Sequence, residues 1–151
     1  MDAMTPAPKP TILTEHQEQA GFVSEVKAQY AQRPDFVAEL FFAVPNGMQA
    51  GGKNKFALVA KFKAEGMNPG VFDIHYLQPR GKYPFFCLEY KRSDKRNKEN
   101  GGLSLEQVLY SVAAARAGAF VCVAYTADEG VKYFEEYMNE PVRLANVWKG
   151  I

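Results

Sequence analysis

Two apolar segments, residues 71–77 and 84–90, flank a short loop that contains Pro79 and Gly81, and each segment carries one acid. Short runs rich in aromatic and β-branched residues, bounded by Pro and Gly, read as β-strands joined by a turn. A chain with such a pair must build a sheet around it. If the turn is centred on Gly81, residues whose numbers sum to 162 lie opposite each other, and Asp73 and Glu89 form one such pair. Side chains alternate between the two faces of a strand. Glu89 and Lys91 therefore share a face with Phe85 and Cys87, while Phe86, Leu88 and Tyr90 occupy the other.

The rest of the chain reads as helices and strands around this hairpin. Thr14 caps a helix running to about residue 32, with Phe22, Val23, Val26 and Tyr30 as its apolar stripe. Residues 38–44 form a strand closed by Pro45-Asn46-Gly47. A second helix covers residues 54–65, with Phe56, Val59, Ala60 and the Lys63 stem on one side, and Gly66 stops it. The polar stretch 93–102 is expected to be a mobile loop. Ser104-Leu105-Glu106-Gln107 resembles a capping box and opens a helix to about residue 117. A buried-type strand at 119–125 and a helix to about residue 137, capped by Thr126 or Asp128, complete the order α-β-α-β-β-α-β-α. Three strands before the long helix and one after it predict a mixed sheet flanked by helices rather than strict alternation.

The 151 residues suit one compact domain, and a hydrophobic fraction of 47% is enough for a core. Residues 1–13 are expected to be a flexible leader, 14–138 the folded domain, and 139–151 an extension of uncertain structure. The leader lacks the features of a signal or transit peptide, and no apolar run is long enough to span a membrane. Cys87 and Cys122 sit in apolar runs and read as buried free thiols in a reducing cytoplasm.

Net charge is only +1, but residues 53–98 hold eleven Lys or Arg against four Asp or Glu. A basic middle suits phosphate binding. Two carboxylates opposed across a hairpin repel each other, and a divalent cation removes the conflict. Magnesium takes one or two carboxylates together with water and phosphate oxygens, and the Tyr90 backbone carbonyl is a further candidate ligand. Lys91 on the Glu89 face can hold negative charge on a phosphate. These are the parts of a metal-dependent phosphodiesterase. The first helix adds an acid: at 100° per residue Glu15 falls about 20° from Phe22 inside the apolar stripe, and Glu18 lies nearer its edge. Gln107 falls on the helix side of Leu103, Tyr110 and Ala114, where it can act as cap partner or site residue. His75 alternates with Asp73.

Five blocks in order resemble the VRR-NUC family of virus-type replication-repair nucleases within the PD-(D/E)XK superfamily. They are Thr14-Glu15-His16-Gln17-Glu18-Gln19, Val44-Pro45-Asn46-Gly47, the run from Lys61 to Asp73, Leu88-Glu89-Tyr90-Lys91-Arg92 and Leu103-Ser104-Leu105-Glu106-Gln107. The resemblance implies a restriction-endonuclease-like α/β core. It implies that Asp73 and Glu89 bind Mg²⁺ or Mn²⁺, that Lys91 is the catalytic lysine, that Glu15 (Glu18 as alternative) is the helix acid, and that Gln107 completes the site. Phe72 stands where the family has proline. The implied activity is structure-specific cleavage of branched DNA such as Holliday junctions by a homodimer in the cytoplasm of a bacterial or phage-infected cell. Flaps, duplex ends or a catalytically silent DNA-binding module are the alternatives. Lys53, Lys55, Lys61, Lys63, Arg92, Lys95 and Arg96 would hold phosphate backbones.

Overall fold

The computed structural model describes residues 7–45 and 54–143. Chain order is α1 (Glu15–Tyr30), β1 (Phe41–Ala43), α2 (Lys55–Ala64), β2 (Ile74–Tyr76), β3 (Phe86–Tyr90), α3 (Leu105–Arg116), β4 (Phe120–Ala124) and α4 (Ala127–Met138). The four strands form one sheet in the order β1-β2-β3-β4. β1–β2 and β2–β3 are antiparallel and β3–β4 is parallel. The parallel step requires a crossover, and α3 provides it.

The β2–β3 register pairs Ile74 with Leu88, His75 with Cys87 and Tyr76 with Phe86, so opposed numbers sum to 162 as the hairpin predicts. The turn itself differs. Arg80 and Tyr83 pair through two backbone hydrogen bonds of 3.0 and 2.8 Å, which leaves Gly81-Lys82 as a two-residue turn. One extra residue is therefore absorbed between Tyr76 and Arg80, in the segment holding Pro79, which has no N–H to give to a ladder.

Both faces of the sheet are covered. On one, Phe22, Val26 and Tyr30 of α1 and Phe134, Tyr137 and Met138 of α4 pack on Ile74, Tyr76, Phe86, Leu88 and Tyr90. Gly130 brings α4 close to this layer, because a Cβ there would collide with the Tyr90 hydroxyl. On the other face α3 places Ala114 and Tyr110 over Phe72, Cys87 and Ala119. Arg80, only 2% exposed, locks the turn of the hairpin to the end of α4. Its guanidinium donates to the carbonyls of Met138 (2.9 Å), Glu140 (3.0 Å) and Asp35 (2.7 Å), and to the Asp35 carboxylate (3.1 Å).

Three local expectations are corrected. Residues 38–40 form a 3₁₀ turn, and the strand starts only at Phe41. α2 has the expected position, but none of its residues is buried and Phe56 is 87% exposed, so its apolar side is not a core face. The 93–102 stretch is two 3₁₀ turns, Ser93–Lys95 and Glu99–Gly102. The Tyr125 hydroxyl fixes the second by donating to the Gly101 carbonyl at 2.7 Å. Residues 7–13 are exposed and carry no helix or strand. Most of the Pro45-Asn46-Gly47 turn, Lys53 and the end of the C-terminal extension lie outside the described residues. Cys87 and Cys122 are buried free thiols as expected.

Candidate active site

Asp73 continues β2 by one residue. Its carbonyl accepts from Val44 N–H (2.7 Å), its own N–H donates to Glu89 Oε2 (3.2 Å), and its Oδ2 accepts from Tyr90 N–H (3.0 Å). The two acids thus sit side by side across β2 and β3. Glu89 is 2% exposed. Its Oε1 accepts from Lys91 Nζ at 3.0 Å and from Gln107 Nε2 at 2.5 Å. Lys91 lies just past β3, where its N–H donates to the Ala124 carbonyl at 3.0 Å. The parallel neighbour β4 therefore aims the ammonium.

The electrostatics follow from this packing. Burial, then the nearby Asp73 charge, pushes the Glu89 carboxyl up to about 8, against the opposing pull of Lys91. Burial also raises Asp73, while hydrogen bonds from Tyr90 and Glu89 and the charge of Lys91 act the other way. Two buried carboxylates with one ammonium do not carry enough positive charge to ionise together at neutral pH. An all-oxygen donor pair of this kind suits a hard divalent cation such as Mg²⁺ or Mn²⁺. Among the described residues no group of three or more His, Cys, Asp or Glu side chains is arranged to hold a metal ion, so the candidate centre is this pair.

Gln107 serves two ends at once. Ser104 caps α3, and Gln107 closes the capping box by accepting from Ser104 N–H at 3.0 Å while its amide nitrogen reaches Glu89. Cap partner and site residue are the same side chain. Glu15 and Glu18 separate clearly. Glu15 Oε1 accepts from Arg92 N–H at 3.4 Å, beside the end of β3, and its charge is felt at Asp73. Glu18 Oε2 accepts from Ala127 N–H at 2.7 Å and so supports the N-terminus of α4. The structure thus brings Glu15 to the site and turns Glu18 away from it. The Tyr90 N–H is engaged by Asp73, and the Tyr90 ring lies on the opposite face of the sheet against Phe22.

The basic residues divide by environment. Lys55, Lys61 and Lys63 are exposed on α2, with Lys61 3.9 Å from Glu65. Lys95 is exposed in the first 3₁₀ turn. Arg92 is paired with Asp94 (Nε to Oδ1 2.7 Å) and Arg96 with Glu129, with the Arg96 guanidinium 4.4 Å from the Tyr125 ring centre. Arg80, in the same basic stretch, is structural.

A link that the strand pattern alone did not bring out runs from His75 to α3. His75 Nε2 lies 2.5 Å from the Tyr110 hydroxyl, and its ring stacks on Phe42 and Phe85. Burial lowers its pKa, and its Nδ1 is buried without a partner, so it is a neutral packing residue next to the site. The only sequence signals were the alternation of His75 with Asp73 and the position of Tyr110 one turn after Gln107. Phe72 is fully buried with its ring centre 5.2 Å from that of Tyr110.

No family model and no curated protein matches the chain. Among solved structures, it is similar to a protein named "VRR_NUC domain protein". The two share 20% sequence identity over 88% of this chain and 94% of that one, with a TM-score of 0.66. The mixed sheet β1-β2-β3-β4, covered by α1 and α4 on one side and α3 on the other, is therefore the restriction-endonuclease-like PD-(D/E)XK fold that this chain shares with the VRR_NUC domain protein.

Proposed function

We propose that the chain is a member of the VRR-NUC family and a metal-dependent, structure-specific DNA endonuclease acting on branched DNA such as Holliday junctions. The observation that carries this reading is the contact between Asp73 and Glu89 across β2 and β3, with Lys91 at 3.0 Å and Gln107 at 2.5 Å from Glu89. Asp73, Glu89 and the Tyr90 carbonyl would hold Mg²⁺ or Mn²⁺, with Glu15 acting through water. When bound, the cation lowers the pKa of the attacking water and polarises the phosphate.

The chain's own residues do the rest. Lys91 places its ammonium against the negative charge that develops on the scissile phosphate. Gln107 fixes the Glu89 carboxylate in one orientation, the usual task of a group behind a metal ligand. Water gives up a proton to solvent as it attacks phosphorus in line, and the 3′ oxygen leaves with the electron pair of the broken bond and takes a proton from solvent. Lys53, Lys55, Lys61, Lys63, Arg92, Lys95 and Arg96 contribute backbone contacts, which give affinity and salt sensitivity with little sequence choice. Homodimerisation would set two such sites about a twofold axis, as a symmetric four-way junction requires. Leu105, Leu109 and Val112 support this, since they form an apolar stripe along α3 and are 68%, 61% and 42% exposed.

A cleavage assay on four-way, flap, nicked and linear DNA with Mg²⁺ and Mn²⁺ tests the reading. Cutting is expected only with divalent metal, strongest on the junction, and lost in folded Asp73→Ala, Glu89→Ala and Lys91→Ala proteins. Gln107→Ala should lose about 10–100-fold, as partners of metal ligands typically do. Full activity in a folded Asp73→Ala protein overturns the assignment.

A further inference from the structure

An apolar pocket of about 360 Å³ is walled by Val44, Pro45, Phe62, Met67 and Val71. Asn68 is the one residue with a polar side chain in its lining among the described residues. The pocket adjoins the candidate active site through the backbone. Val44 N–H donates to the Asp73 carbonyl at 2.7 Å, and Val71 precedes Asp73 by two residues. Met67 and Asn68 also border a second depression, of about 210 Å³, that reaches Gln107. Above the pocket runs α2, which buries none of its residues and exposes Lys61 and Lys63 in its last turn.

We propose that this pocket takes one unstacked base of the DNA strand being cut, next to the scissile phosphate. The inference rests on the nuclease reading and deepens it by naming what the enzyme recognises in its substrate. Among the described residues its lining is apolar with one amide side chain, Asn68, which suits a planar heterocycle whose faces are apolar and whose edge hydrogen-bonds. The lysines outside match the phosphates that such a base carries with it. A purely apolar peptide would leave those charges unanswered. A second copy of the chain, docked symmetrically through α2, would bring like charges toward each other. Stacking against a side chain such as Phe62 accepts any base, because every base has a π-face.

One consequence follows for substrate choice. A base inside a continuous duplex must be unpaired and unstacked from both neighbours, whereas a flap offers one already single-stranded and an open strand exchange point offers one whose stacking is interrupted on one side. The pocket thereby favours branched DNA without reading its sequence.

The test uses the full-length wild-type protein with four-way junctions that carry an abasic site at successive positions around the cut. One position is expected to raise KM about tenfold or more, the loss typical of one stacked base, with kcat little changed. With Ca²⁺ in place of Mg²⁺, 2-aminopurine at that position should change its emission on binding. Phe62→Ala should raise KM to the same extent on the normal junction and show no further loss on the abasic one, because the two changes remove one contact. Wild-type cleavage that is indifferent to the abasic site at every position overturns the pocket assignment, whatever Phe62→Ala does. A Phe62→Ala protein that sediments as a smaller species while keeping its response to the abasic site would assign the pocket to a second copy instead. If wild-type protein cuts no DNA at all, the nuclease reading falls, and 2-aminopurine emission on binding, scanned over the same positions, then decides the pocket by itself.

Discussion

At the scale of single residues, Glu89 is the most consequential position. It is buried, it touches a second acid, and three donors point at it: the Asp73 N–H, the Gln107 amide and the Lys91 ammonium. Its folded-state pKa of about 8 lies above the ordinary value of 4.5. The folded protein therefore retains a proton that the unfolded chain has lost over this window. Stability from this group is full below about pH 4.5 and is lost as pH rises towards and through 8. Each pH unit across the window costs about 1.4 kcal/mol at most, and relaxation of the site reduces this. Thermal melts of metal-free protein from pH 5 to 9 should show this decline. Glu89→Gln should flatten it, and Mn²⁺ should restore stability at high pH by replacing the shared proton with a cation. A decline equally steep in Glu89→Gln would show that another group is responsible. Asp73 and Glu89 were legible as a pair before any coordinates, because strand alternation and hairpin register are local rules. The assignment of Glu15 rather than Glu18 was not, because a helical wheel gives direction but not which neighbouring element supplies the partner.

At the scale of elements, the site depends on how closely α3 approaches the end of β2. Gly70 makes that approach possible. It has φ of +88°, and a Cβ there would collide with the backbone carbonyl group of Glu106 in the first turn of α3. Gln107 is the next residue. Gly70→Ala is therefore expected to destabilise the protein by at least about 1–2 kcal/mol, from the backbone conformation alone. It should also lower activity towards the level of Gln107→Ala, because α3 must shift to relieve the clash. Melting temperature and cleavage rate measured on the same preparation check both effects, and an unchanged rate would mean that Gln107 does not depend on this contact. The helices show how far periodicity carries. Of the α1 stripe, Phe22, Val26 and Tyr30 are buried and Val23 half-buried, whereas α2 has similar apolar spacing and buries nothing. Spacing marks a face, and packing decides whether anything covers it.

At the scale of the whole molecule, the α3 stripe and the pocket beside α2 are apolar and exposed among the described residues. The proposed dimer makes the first of these testable by itself. Sedimentation is expected to show a dimer in wild-type protein, and Leu105→Glu with Leu109→Glu should shift it to monomer without lowering the melting temperature of the fold, since both side chains are more than half exposed. A monomeric wild type would remove the twofold argument for four-way junctions and leave the chemistry of the site intact.

The sequence by itself determined the order of the eight elements, the face shared by Glu89 and Lys91, and the register that opposes Asp73 to Glu89. The first two follow from periods of 2 and 3.6 residues, whereas the structure reaches the third through the Gly81-Lys82 turn together with one extra residue between Tyr76 and Arg80. Only the tertiary structure decided that Gln107 reaches Glu89, that Arg80 is a buried clamp, and that α2 buries none of its residues. The reason is physical. Local patterns set where a side chain points along its own element, but burial, partners and charge state depend on what another element, distant in sequence, places opposite it.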